Sequence, residues 1–160
     1  MEAPVLKRVL IAIAAVAVLI QLVPVDRTGE PADQPLQASA DVMAVLRTSC
    51  YDCHSAETVW PWYARVAPVS WLVAHDVKEG REKLDFSRWG RLDARRRNHA
   101  LSEIAEVVET GEMPMDIYLV MHPEARLDGA ALNTLRRWTS GSPTGAVMEH
   151  DHDHDHGHDH

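Results

Sequence analysis

The 160-residue chain has little of what several protein classes require. It holds only two cysteines, Cys50 and Cys53, which excludes a disulfide framework. Phe86 is the single phenylalanine, so most aromatic bulk falls to five tryptophans. Positive charge is not in excess: the formal balance is −8, which argues against nucleic acid as a partner. No stretch alternates apolar and polar residues over the length of a strand, and no internal repeat is visible. Only one long apolar run exists, at the N-terminus, which excludes a multi-span membrane protein. What remains, 46% hydrophobic and 25% charged residues, is ordinary globular usage. That length suits one domain with appendages.

The charge and the histidines are unevenly spread. Glu149, Asp151, Asp153, Asp155 and Asp159 carry most of the negative excess, leaving a nearly balanced body. His150, His152, His154, His156, His158 and His160 share that C-terminal tract. Residues 142–160 are therefore expected to be a disordered His/Asp-rich tail, with no apolar content to bury. In an extended chain those six imidazoles share one face and suit Zn, Ni or Cu.

At the other end, Lys7 and Arg8 precede an unbroken apolar run from Val9 to Ile20, which continues through Leu22, Val23 and Val25. A basic start followed by an apolar run is an export signal or signal anchor. No small-x-small site follows directly, and the next, Ala38-Ser39-Ala40, is distant, so residues 1–25 read first as a retained transmembrane helix; the alternative is a cleaved signal, which would release the protein into the periplasm. The basic flank should stay inside, placing the rest beyond a bacterial inner membrane, in the periplasm. Residues 26–38, with Pro31, Pro35 and Gly29 among charges, read as a linker to a folded body over 39–141.

Within that body the apolar spacing predicts four helices and an all-α fold. The first covers 40–48, with Val42, Val45 and Leu46 on one face. The second covers 68–83, with Val69, Leu72, Val73, Val77 and Leu84 at helical spacing and Pro68 in its first turn. The third covers 94–109, capped by Asp93 and stopped by Gly111. The fourth covers 129–139, capped by Asp128 and ended by Gly141.

The chemistry centres on Cys50-Tyr51-Asp52-Cys53-His54. Three readings meet here. A thioredoxin-like dithiol needs a βαβ setting, and no strand is predicted. A structural zinc site needs four ligands, and neither a second C-x-x-C nor a His pair completes the set. Covalent attachment of one haem c has C-x-x-C-H as its signature, with Cys50 and Cys53 joined to the vinyl groups and His54 as proximal iron ligand. The third reading is the strongest. Met113, fixed by the following Pro114, is the candidate distal ligand; Met115, Met121, His75 and His122 are weaker ones. His99 reads as solvated. Trp62, Tyr63 and Trp71 are candidates to pack against the macrocycle, with Trp60 and Trp89 in the same region. Arg65 and Arg81 are candidate propionate partners, and Arg95–Arg97 a solvated face.

The order of these parts resembles a class I cytochrome c. A closer resemblance is to the bacterial haem-binding-domain family of small exported c-type cytochromes. It rests on Cys50-Tyr51-Asp52-Cys53-His54-Ser55, Trp60-Pro61-Trp62-Tyr63, Ala67-Pro68-Val69-Ser70-Trp71, Glu79-Gly80-Arg81-Glu82, Leu84-Asp85-Phe86-Ser87-Arg88-Trp89, Gly111-Glu112-Met113-Pro114 and His122-Pro123-Glu124-Ala125. The resemblance covers most of 45–140 and implies one covalent haem, His54 as proximal ligand and Met113 as distal ligand. It does not cover the tail.

The expected function is one-electron transfer by a membrane-anchored monohaem cytochrome with an unidentified redox partner. No catalytic constellation is visible, so the chain reads as an electron carrier rather than an enzyme. The alternatives are a haem-based sensor, which needs a weak or absent Met113 bond, and a metal-handling protein that uses the tail.

Overall fold

The computed structural model describes residues 3–141. The tail histidines His150–His160 lie outside the described residues. Seven α-helices and four 3₁₀ turns make up the described residues, and no strand occurs among them, so the fold is all-α.

Helix α1, Ala3–Leu19, is apolar all round beyond Lys7 and Arg8, and none of its membrane-length stretch is buried. It continues into a 3₁₀ turn at Ile20–Leu22. Pro4–Leu22 is long and apolar enough to cross a membrane. Helix α2, Ala40–Ser49, buries Val42 and Leu46. The chain bends at Cys50 into a single turn, α3, Tyr51–His54. Helix α4 spans Val69–Lys83, α5 Ala94–Glu109, α6 Asp116–Leu119 and α7 Gly129–Ser140. The four longer helices of the body match their expected ranges to within two residues, because their signals are local. Asp93 accepts from the Arg96 amide and Asp128 from the Ala131 amide, as N-caps do. Gly111 ends α5 with φ +75°, a conformation glycine adopts without steric cost.

The helices stack in a fixed order: α5 packs on α7, α7 on α2, α2 on α3, α3 on α4, and α4 on the 3₁₀ turn Trp62–Arg65. The core lies between α2, α5 and α7, closed by the 3₁₀ segment Phe86–Arg91. Phe86 sits at its centre, stacked on Tyr51 at 5.5 Å between ring centroids and touching Trp89 at 6.2 Å. Burying each such side chain contributes about 1.5–3 kcal/mol.

Residues 26–38 depart from the linker expectation. Leu36 is a core residue, and its amide donates to the Phe86 carbonyl at 2.7 Å. The Asp33 amide donates to Ser87 O at 2.9 Å, and the Gly90 amide to Gln34 O at 2.8 Å. Arg88 pairs with Glu30, and Arg91 with Asp33. The segment is a strap bonded along the body. Its pairings are long-range and leave no periodic mark in the sequence.

Candidate functional site

Both cysteines and His54 are delivered by the bend between α2 and α3. The thiols are free and half-buried. Burial pushes Cys50 up to about 12 and Cys53 up to about 11, so both are held as neutral thiols.

His54 is anchored through one ring nitrogen. Its Nδ1 lies 2.9 Å from the Gly80 carbonyl and 3.0 Å from the Leu84 carbonyl, both at the end of α4. Carbonyls only accept, so Nδ1 carries the proton and Nε2 keeps its lone pair. Burial lowers the His54 pKa, against the opposing effect of those two carbonyls, and keeps the ring neutral. A neutral imidazole with Nδ1 tied to backbone is the form that ligates a metal through Nε2. Gly80 makes this approach possible: a Cβ there would stand 2.7 Å from the Cys53 carbonyl oxygen.

Two adjoining cavities open from this bend. The smaller, about 140 Å³, is bordered by Cys50, Cys53, His54, Met113 and Met115. The larger, about 410 Å³, is bordered by Val59, Trp62, Val69, Leu72, Val73 and Ile117, among others. Cys53, Asp52, Asp76, Met115 and Tyr118 border both. The α4 face Val69/Leu72/Val73 carries the apolar spacing of a helix, yet Leu72 is 51% exposed and Val69 42%. Among the described residues no side chain covers this face, and it forms a cavity wall. Trp62, 72% exposed, stands at the rim.

Met113 lies between α5 and α6. The Met113 amide donates to the Val107 carbonyl at 3.1 Å, holding the methionine just past the Gly111 turn. Five polar side chains lock the segment that follows. Tyr118 donates its hydroxyl to Asp52 Oδ2 at 2.9 Å and stacks on His122 at 4.3 Å. His122 Nε2 lies 2.7 Å from the Tyr63 hydroxyl, and its Nδ1 lies 3.1 Å from Glu124 Oε1. Asp52, in the centre of C-x-x-C-H, thereby bonds directly to the distal segment. Burial and the Asp52 carboxylate both push the Tyr118 pKa upward.

The structure thus brings Cys50, Cys53, His54 and Met113 to one cavity, and Trp62 and Tyr63 to the next. Trp71 is a correction. It points to the other side of α4, bordering a hollow with Pro24–Pro31 and His75, because helical spacing rotates it away from Leu72. Arg81 is a second correction as a propionate partner: it donates to Ser55 O, Thr28 O and Thr58 Oγ1. Arg65 borders a pocket with Gln21, Arg27 and Ala67, away from the cysteines. Trp89 belongs to the core. Tyr118, Asp52, Asp76 and Ile117 were missed. Helix α6 is one turn long, too short to show a period, though Ile117-Tyr118-Leu119-Val120 is an apolar run. Among the described residues, no three His, Cys, Asp or Glu side chains converge as metal ligands, which disfavours the zinc reading of C-x-x-C-H.

An apolar cavity beside a neutral imidazole, two thiols and a thioether offers a donor set that fits a haem. Fold and site define an all-helical haem-binding protein. A family profile described as a haem-binding domain matches residues 15–141, and the chain belongs to that family. No curated protein and no solved structure matches the chain.

Proposed function

We propose that the chain is a monohaem c-type cytochrome that carries single electrons at the periplasmic face of a bacterial inner membrane. The observation that carries this reading is the pinning of His54 Nδ1 by Gly80 and Leu84 in a cavity bordered by Cys50, Cys53 and Met113. Cys50 and Cys53 would hold one haem c by thioether bonds, His54 Nε2 would bind its iron on one side, and Met113 on the other. The haem would supply one-electron chemistry.

The protein's own residues then have defined tasks. Gly80 and Leu84 orient the imidazole and keep its proton on Nδ1. Val69, Leu72, Val73 and Trp62 would shield the macrocycle from water. Tyr118 and His122 clamp the segment after Met113 against Asp52 and Tyr63. With His54 and Met113 both holding the iron, no position on it would be left for a substrate, which fits a carrier rather than an enzyme. Helix α1 would hold the domain on the membrane, with Lys7 and Arg8 on the cytoplasmic side. Redox titration of the purified holoprotein tests the function: a single one-electron wave is expected, and an iron that cannot be cycled reversibly would refute it.

A further inference from the structure

The end of α1 does not trail into solvent. Gln21 and Ala67 exchange two hydrogen bonds: the Ala67 amide donates to Oε1 at 2.9 Å, and Nε2 donates to the Ala67 carbonyl at 3.2 Å. Six residues on, Arg27 donates Nε and Nη2 to the Ala64 carbonyl at 3.1 and 2.8 Å. The C-terminal end of the apolar helix is therefore bonded directly to the loop between Trp62 and Val69. A domain on a free linker would present every face to the membrane in turn. A domain bonded to the end of its span would present a single face.

That face is unusual for an exposed loop. Trp62, Val66 and Val69 project from it, and Val66 is 46% exposed although it borders neither cavity at the cysteines. Bound haem would cover Trp62 and Val69 from the cavity side and leave Val66 bare. Arg65 is exposed between them, beside the pocket formed by Gln21, Val23, Pro24 and Arg27. Tryptophan and aliphatic side chains flanked by arginine, level with the end of a membrane span, match the chemistry of the lipid headgroup region. The opposite end of the helix stack, α5 and α7, carries Arg95, Arg96, Arg97, Arg136 and Arg137 and is polar.

We propose that the Trp62–Val69 face rests on the outer leaflet of the bilayer that α1 enters, with Trp62 and Val66 in the headgroup layer and Arg65 against lipid phosphate. The proposal rests on the reading of α1 as a retained membrane helix. The Gln21–Ala67 pair and the Arg27–Ala64 contact set the tilt. They bring the rim of the larger cavity close to the membrane surface and turn α5 and α7 toward the periplasm.

The test uses the full-length holoprotein in vesicles of phosphatidylethanolamine and phosphatidylglycerol that contain a lipid with a photoactivatable diazirine at glycerol depth. After irradiation, lipid adducts are mapped by peptide mass spectrometry. Adducts are expected on α1 and on the Trp62–Val69 segment, with several-fold lower yield on α5 and α7. Adducts on α1 with Trp62–Val69 labelled no more than α5 and α7 would overturn the docked face and leave the anchor standing. A mature chain without α1, or without adducts on α1, would overturn the anchor and the face with it.

Discussion

His54 and Gly80 are joined by a 2.9 Å hydrogen bond from the ring Nδ1 to the backbone carbonyl, across the contact between α3 and α4. The bond exists because Gly80 has no Cβ to strike the Cys53 carbonyl. Gly80→Ala should therefore cost about 1–3 kcal/mol, the range for overpacking a close contact. Thermal unfolding of the holoprotein checks the cost, and the yield of haem-loaded protein should fall with it.

Met113→Ala should abolish the weak far-red ferric absorption band that marks sulfur–iron coordination, and it should lower the midpoint potential. Met115 borders the same cavity, so Met115→Ala is the control and should leave the band in place. The opposite pattern would transfer the distal role to Met115.

Tyr118→Phe removes the donor to Asp52 Oδ2, while Asp52 Oδ1 keeps the Val59 amide at 2.9 Å. The loss should be about 1–3 kcal/mol, since a hydrogen bond to a charged group is broken. Because the bond closes the segment that follows Met113, the ferric protein should also bind added imidazole more tightly. A stability loss with unchanged imidazole affinity would show that Tyr118 has no part in holding the distal side.

Asp76 borders both cavities, and burial raises its carboxyl pKa above the ordinary value of 3.8. A raised carboxyl pKa means that the folded state binds the proton more tightly than the unfolded one. Stability contributed by this group is present in acid and is lost as pH rises through the window between 3.8 and the raised value. Asp76→Asn should accordingly raise the unfolding midpoint at neutral pH and flatten that part of the pH–stability curve. Equal midpoints for the two proteins at neutral pH would refute this.

Much of the fold was legible because its signals are local. Asp93 and Asp128 cap the helices they precede, and Gly111 stops α5. The apolar stripes of α2, α5 and α7 face the core at Val42, Leu46, Ile104 and Leu135. C-x-x-C-H and Met113 also stood out, since their chemistry constrains spacing. Contacts without a local period stayed hidden. The strap over 26–38 looks like a tether until Leu36 meets Phe86. Asp52 looks like an incidental filler of C-x-x-C-H until Tyr118 bonds to it from 66 residues away. The stripe Val69/Leu72/Val73 is apolar at helical spacing, yet among the described residues it lines a cavity instead of packing on another helix. Trp71 was grouped with the site by residue type alone, and helix geometry turns it to the other side of α4.

Covalent attachment through Cys50 and Cys53 is the central claim, and intact mass measured under denaturing conditions tests it most directly. The full-length protein, produced with a bacterial haem-maturation system, is unfolded in acid, extracted with organic solvent and weighed. A mass equal to the polypeptide plus one haem is expected, together with loss of that increment in a Cys50→Ala/Cys53→Ala protein. A mass equal to the bare polypeptide, with the haem passing into the solvent, would contradict it.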